Sequence, residues 1–261
     1  MLKSTSIIIK EGKNGIKYIQ YKELLKYGIK HAYTLTVPGI DFSFGREEHD
    51  RSYEMLAEEL GIEVEQIVEP VQTHTDTIVC LDNVLSSSEL QDVDGLITDK
   101  ENIALTSKNA DCILFLFYDP VKKVIANVHS GWKGTFKKIS EKTVNKMINN
   151  YKCNPEDILC FISPSIRKCH FEVDEDIKDL CADIFSFLPI EEFIEIGEIK
   201  DDKQKYMIDT VKINKLLLKQ MGLKEKNIID SEICSMCNKD IVHSARGEGE
   251  GFKRETLIVS L

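Results

Sequence analysis

No run of basic residues occurs anywhere in the 261-residue chain, which carries a net charge of −10. A surface that grips a phosphate backbone needs clustered lysine and arginine, so nucleic acid is excluded as a partner. No stretch approaches the roughly 18 uncharged apolar residues of a membrane helix. The opening residues, MLKSTSIIIKEGKNG, lack the apolar core of a secretory leader. The expectation is a soluble, cytoplasmic protein that binds neither membrane nor nucleic acid; the sequence names no protein partner. Internal repeats, low-complexity linkers and sharp breaks in composition are also missing. Residues 1–261 are therefore read as one domain, and a 42% hydrophobic content is enough for a sizeable core. The glycine-rich run Gly247–Gly251 lacks the Lys-Ser/Thr pair of a phosphate-binding P-loop and reads as a flexible loop.

Cysteine is plentiful, with eight residues, several of them in apolar runs. In a cytoplasmic chain of this length they are expected to be reduced core residues or ligands rather than disulfides. Cys234-x-x-Cys237, with His243 beyond, is half of a zinc knuckle. No second cysteine pair follows at a suitable spacing, so the two are read as one core cysteine and one loop cysteine.

The pattern of apolar residues predicts an α/β domain of α+β type with mixed sheets. SIIIKEGKNGIKYIQY reads as a hairpin around a Lys-Asn-Gly turn. DTIVCL, NIALTS, CILFLFYD, VIANVHS, ILCFISP and TLIVSL read as strands. SYEMLAEELGI, TFKKISEKTVNKMINNY, DEDIKDLCADIFSFL and DTVKINKLLLKQMG read as helices.

CILFLFYD and VIANVHS flank Asp119-Pro120-Val121-Lys122, where proline suits the second position of a tight turn. A turn centred between Pro120 and Val121 would set Cys112 opposite His129 at the open end of the hairpin. Directly opposed side chains share a face with Cβ atoms about 4.5–5.5 Å apart. That is close enough for a thiolate and an imidazole to share a metal ion, or to act as a Cys–His catalytic pair. The Gly131-Trp132-Lys133-Gly134 stretch reads as a turn following His129. His74, in a segment where Gln72, His74 and Asp76 alternate as a polar face, would complete a set of two histidines and one cysteine. Three protein ligands leave a fourth tetrahedral position open, the pattern of a catalytic zinc.

In order along the chain stand Q-x-H at Gln72–His74, D-G-L-I-T at Asp94–Thr98, A-D-C at Ala110–Cys112 and H-S-G-W-K-G-T at His129–Thr135. I-S-P-S-I at Ile162–Ile166, F-E-V at Phe171–Val173 and S-x-R at Ser244–Arg246 follow. Together they resemble the laccase-domain family, once called polyphenol oxidases and now purine nucleoside phosphorylases. The resemblance implies a single-domain α/β/β/α sandwich with no nucleotide-binding βαβ unit. It implies a catalytic zinc at His74, Cys112 and His129. The implied activities are phosphorolysis of adenosine, inosine and methylthioadenosine, with adenosine deamination beside it. Purine nucleosides and inorganic phosphate are thus the expected ligands, with Gln72 and Asp111 contacting substrate. Lys133, Arg51 and Arg246 are the candidates for the phosphate site, since arginine and lysine suit phosphate as fork and point charge. The chain departs from the family pattern at both ends. TLTVPGIDFSFG lacks the usual Thr-Arg-x-Gly-Gly-Val-Ser, Gly247 replaces a second arginine, and Lys253-Arg254 stands where Gly-Arg is usual.

Three other readings stay open. A metal-free cysteine hydrolase would use Cys112 as nucleophile, His129 as base and the Gly131–Gly134 turn as oxyanion donors. Copper can occupy an N/S site in place of zinc and support phenol oxidation, although a four-copper cluster needs many histidines and the chain has six. A scaffold protein is the non-enzymatic alternative.

Overall fold

Alternation of side chains along a strand explains why the middle of this sequence is so apolar. In the strand Ile113–Asp119, Leu114, Leu116 and Tyr118 join one hydrophobic core while Ile113, Phe115 and Phe117 join another. Both faces are covered, so the strand reads as an unbroken apolar run. The computed structural model describes residues 4–261, and this strand lies in its middle layers.

Two six-stranded sheets pack face to face. The first runs β1 (Ile7–Glu11), β2 (Lys17–Tyr21), β3 (Lys30–Thr34), β15 (Glu255–Ser260), β7 (Ala104–Asn109) and β4 (Ile67–Val68). The second runs β14 (Ile228–Asp230), β10 (Leu159–Ile162), β8 (Ile113–Asp119), β9 (Val124–Ser130), β6 (Gly95–Thr98) and β5 (Ile78–Cys80). Both are mixed: the β4–β7, β10–β14 and β5–β6 pairs are parallel and the remaining neighbours antiparallel. Tyr21, Tyr33, Leu105 and Leu257 from the first sheet meet Leu96, Leu116, Ile125 and Phe161 from the second in the central core. Asn127 of β9 crosses that core, donating to the carbonyls of Leu105 at 3.0 Å and Leu257 at 2.8 Å, so its buried amide is satisfied.

Helices cover the outer faces. After the short α1 (Lys22–Leu25), α2 (His49–Leu60) packs Tyr53 and Leu56 on the first sheet and ends at Gly61 in the left-handed region. The second sheet carries α3 (Trp132–Phe136), α4 (Ile139–Tyr151) and, after α5 (Glu175–Ile184), α6 (Thr210–Gln220). A short α7 (Ala245–Glu248) precedes β15. A small sheet of β11 (Glu172–Val173), β13 (Lys203–Ile208) and β12 (Ile194–Lys200) packs with α5 around Phe171, Phe185 and Phe193. The layering is the expected α/β/β/α sandwich with mixed sheets, with this small sheet added at one side.

Local details depart from the sequence reading. Asp119 pairs with Val124, leaving a four-residue loop rather than a two-residue turn. The Asp119 carboxylate accepts the N–H groups of Val121 and Lys122 at 2.8 and 2.9 Å, and Lys123 takes φ +53°. An aspartate capping its own loop in this way competes with the proline-centred turn. Leu114, not Cys112, therefore faces His129. The Gly131–Gly134 stretch is no turn: Gly131 caps α3, whose first residue is Trp132. The helix expected to run on from Thr135 breaks at Lys138, which sits at φ +59° before α4 begins. Residues Gln72–Thr77 are loop, so the polar alternation there is not the pleat of a strand.

Phe115 is fully buried between β8 and the helices of the second core. Truncating it to alanine should cost about 3–5 kcal/mol by loss of transfer energy and creation of a cavity. Urea unfolding of Phe115→Ala measures this, and a loss below about 1 kcal/mol would contradict two-sided burial of β8.

Candidate metal centre

The open end of the β8–β9 hairpin carries the site. His129 is the penultimate residue of β9, and Cys112 immediately precedes β8 after Asp111, whose φ is +83°. The register differs from the expected one by two residues. A two-residue shift keeps every side chain on its face, so Cys112 and His129 still point the same way, now diagonally. His74 reaches them from the loop between β4 and β5 with φ +64°. Ligand-capable atoms of His74, Cys112 and His129 all lie within 4.8 Å of one another. Cys112 Sγ is 3.6 Å from His74 Nε2. A tetrahedral zinc with bonds near 2.3 Å to sulfur and 2.0–2.1 Å to nitrogen would set that separation at about 3.5 Å.

One buried carboxylate arranges the set. Asp94, 1% exposed, precedes β6 and accepts from His129 Nδ1 at 2.7 Å. The same carboxylate accepts from the N–H groups of Thr73, His74 and Thr75 at 3.4, 3.2 and 2.6 Å, and from the Thr75 hydroxyl at 2.6 Å. Asp94 thus places both the loop that carries His74 and the ring of His129. With Nδ1–H donated to the carboxylate, the Nε2 lone pair of His129 faces the cluster, as a metal ligand requires.

Electrostatics favour the thiolate at this site, and the proton that His129 then holds is one a bound metal would displace. Burial pushes the Cys112 thiol up, but the neighbouring His129 and His74 outweigh it and bring it well below the usual thiol range. Burial pushes the His129 imidazole down, and the Cys112 thiolate and Asp94 more than reverse this. The thiolate that a metal needs is therefore already favoured. Space is fitted closely as well. A Cβ at Gly131 would lie 2.5 Å from His74 Cδ2 and 3.1 Å from Cys112 Sγ.

The three residues border a cavity of about 700 Å³ walled by Phe44, Trp132, Phe171 and Phe252 and carrying the cations Lys108, Arg246 and Arg254. Lys108 is buried, with its ammonium 3.2 Å from the Phe44 ring centre and 2.5 Å from Glu69 Oε1. Burial pulls its pKa down to about 8 despite the Glu69 carboxylate. Arg254 stacks over Phe252 at 4.8 Å and donates to the Ser43 hydroxyl at 3.2 Å.

Other expected site residues sit as follows. Gln72 borders the cavity, but its amide is engaged with the Lys108 backbone, donating to the carbonyl at 2.9 Å and accepting from the N–H at 2.8 Å. Asp111 also borders it, and its carboxylate accepts from the hydroxyls of Ser235 and Ser244 at 2.5 and 2.7 Å and from the Arg246 N–H at 2.7 Å. Both are fasteners of the wall. Arg246 lines the cavity; Arg51, exposed on α2, and Lys133, exposed with its ammonium 5.6 Å from the Trp132 ring centre, do not. Sequence reasoning passed over Asp94 as a positioning residue, and over Lys108, Arg254 and Phe44. A lysine ending the apolar run NIALTSK was the one visible signal for Lys108.

Two substitutions test this geometry. Asp94→Asn keeps the shape but removes the charge that orients His129, so metal affinity should fall about 10–100-fold. Gly131→Ala should displace His74 and empty the site while the far-ultraviolet spectrum stays unchanged. Competition with a chromophoric chelator measures both, and wild-type affinity in either variant would contradict the arrangement.

Two solved structures share the fold over nearly their whole lengths. The Bacillus licheniformis hypothetical protein YfiH superposes with a TM-score of 0.79 at 24% identity, covering 100% of this chain and 98% of that one. YlmD from Geobacillus stearothermophilus gives 0.80 at 22%, covering 97% and 98%. Among curated relatives, the purine nucleoside phosphorylase CA_C1699 of Clostridium acetobutylicum is 32% identical over 218 residues, 83% of this chain and 85% of that protein. The mouse purine nucleoside phosphorylase LACC1 is 31% identical over 184 residues, 68% of this chain. The match spans 40% of the mouse protein's length. Residues 45–259 match the family described as multi-copper polyphenol oxidoreductase laccase. Fold, motifs and this match agree, and the chain belongs to that laccase-domain family.

Proposed function

We propose that the protein is a zinc-dependent purine nucleoside phosphorylase acting on adenosine, inosine and methylthioadenosine, with adenosine deaminase activity beside it. The observation that carries this reading is the convergence of His74, Cys112 and His129 at the edge of a cavity lined by aromatic rings and three cations. Relatives named purine nucleoside phosphorylase at 31–32% identity support it. When bound, zinc supplies Lewis acidity and a position open to an exogenous ligand.

The chain's own groups suit the rest of the reaction. Phosphorolysis joins a phosphate oxygen to C1′ of the ribose and breaks the C1′–N9 bond, and the departing purine takes up a proton. Arg246 and Arg254 would hold the phosphate, with Lys108 adding charge; these cations take the place expected of Arg51 and Lys133, which lie outside the cavity. Phe44, Trp132 and Phe252 offer flat apolar surface to the purine. Asp94 keeps His129 in one tautomer and orientation throughout.

Phenol oxidation by a multi-copper cluster finds few ligands here. Of the six histidines, His31 is buried between the Tyr21 N–H and the Ile29 carbonyl, His49 pairs with Glu69 and His243 with Glu248. A metal-free Cys112–His129 nucleophile is favoured by the polarised thiolate–imidazolium pair. It gives His74, whose Nε2 sits 3.6 Å from the same sulfur, no role beyond a second contact to the thiolate.

His74→Ala should remove the metal from this site and abolish phosphate-dependent release of base, with little loss of stability because the residue lies on an exposed loop. Chromatographic assay of base release with and without phosphate decides the reading. Full activity in the metal-free variant would favour the cysteine dyad instead. Arg254→Ala should retain metal and raise the KM for phosphate about 10-fold or more, as loss of a charge-assisted contact predicts. An unchanged phosphate KM would remove Arg254 from the anion site.

A further inference from the structure

A second cluster of ligand atoms lies outside the site described above. Cys169 and His170 stand in the loop between β10 and β11. Cys234 and Cys237 stand in the segment after β14, at the start of a 3-10 turn over Met236–Asn238. Cys234 is buried and Cys237 exposed, as expected of one core and one loop cysteine, but neither stands alone. Their partner pair lies earlier in the chain, as Cys-His rather than Cys-x-x-Cys, and His243 takes no part.

The distances are those of four ligands around one ion. Cys169 Sγ lies 3.6 Å from Cys234 Sγ and 3.9 Å from Cys237 Sγ. His170 Nδ1 lies 3.2, 3.7 and 3.5 Å from the sulfurs of Cys169, Cys234 and Cys237. Tetrahedral zinc with bonds near 2.3 Å to sulfur and 2.0–2.1 Å to nitrogen sets sulfur–sulfur edges at about 3.8 Å and sulfur–nitrogen edges at about 3.5 Å. All three cysteines are free thiols. Three sulfurs and an imidazole nitrogen at such separations crowd lone pairs with no cation among them. Soft thiolates in tetrahedral array select zinc.

We propose that Cys169, His170, Cys234 and Cys237 form a closed, four-ligand site for a structural zinc ion. The backbone prepares the site: Ser165 and Cys234 form a parallel bridge, with Ser165 N–H on the Ile233 carbonyl at 3.2 Å and Ser235 N–H on the Ser165 carbonyl at 3.0 Å. The ion cross-links two segments that build the cavity wall. Ile166 and Phe171 line the cavity from the first, and Ser235 of the second bonds the Asp111 carboxylate beside Cys112. Closing a loop of this length constrains the unfolded chain, so the ion also stabilises the fold.

Elemental analysis of the full chain, purified without a metal-affinity tag, tests the proposal. Wild type should hold two zinc ions per chain, and both His74→Ala and Cys237→Ser should hold one. Cobalt(II) loaded into His74→Ala should give the intense sulfur-to-cobalt charge-transfer bands of a three-thiolate tetrahedral site. If instead the three-residue site binds no metal, wild type holds one ion and Cys237→Ser none, which still supports the four-ligand site. Should Cys237→Ser fail to fold, alkylation of wild type serves: Cys169 and Cys237 should resist iodoacetamide until a strong chelator is added. Zinc content unchanged in a folded Cys237→Ser would overturn the proposal. So would rapid alkylation of both thiols without chelator, or an intact mass two daltons low from a Cys169–Cys234 disulfide.

Discussion

Everything at the site depends on the two-sided burial of the β8–β9 hairpin. Its strands contribute to the core between the sheets and to the core beneath α4 and α6. A slip of one residue would exchange the two sets of side chains between differently shaped cores and pull Asn127 from its carbonyl partners, so packing fixes the register far from any ligand. That fixed register brings Cys112 and His129 to one face at the open end. The neighbouring β6 pairs Gly95 with Val128, and the His129 N–H meets the Asp94 carbonyl at 2.7 Å. The hairpin and its neighbour thus deliver ligand and orienting carboxylate together.

Asp94 shows how a buried charge is made tolerable and then used. A carboxylate with almost no exposure needs several donors, and Asp94 has its charge met by backbone and hydroxyl groups of Thr73–Thr75 as well as by His129. Burial raises its pKa, and the hydrogen bonds from His129 and Thr75 more than offset this and hold it below the ordinary value. The same bonds hold the strained left-handed backbone of His74 in place. A negative carboxylate behind His129 and a favoured thiolate beside it make the cluster attractive to a cation before any cation arrives.

Much of this was legible in the sequence because period and spacing are local properties. The helices at Ser52–Ile62 and Asp209–Gly222 and eight of the twelve strands of the two large sheets follow from apolar pattern and capping residues, whereas β3, β4, β6 and β14 carry too short or too polar a pattern to be read as strands. Convergence of Cys112 and His129 was readable although the assumed turn was wrong, because an error of two residues preserves strand parity. The cations were legible only in part. Arg246 lines the cavity as expected while Arg51 and Lys133 lie outside it, and Lys108 and Arg254 reach it through β7 and the approach to β15, adjacent strands of the other sheet. The Cys169–His170 pair was invisible as a partner to Cys234-x-x-Cys237 because their meeting depends on a bridge between Ser165 and Cys234, distant in sequence.

The two clusters answer different chemical needs with similar ligands. Three protein ligands at the edge of a cavity would leave one tetrahedral position for an exogenous group, while four from two separate segments would leave none. They are joined through Asp111. Its carboxylate binds Ser235, one residue after Cys234, and Ser244 and Arg246 of the segment that brings a cation to the cavity. Its left-handed backbone sets the direction of Cys112. Asn109, held by the Tyr33 hydroxyl, donates to the carbonyls of Cys112 and Pro164 and ties the same corner to the first sheet. A closed ion that fixes the Cys234–Cys237 segment therefore acts on the open site by limiting where Asp111, and hence the Cys112 sulfur, can go. Rigidity at a metal centre on a loop-built wall has to come from somewhere other than the wall, and here it comes from the sheet through Asn109 and from the second cluster through Ser235.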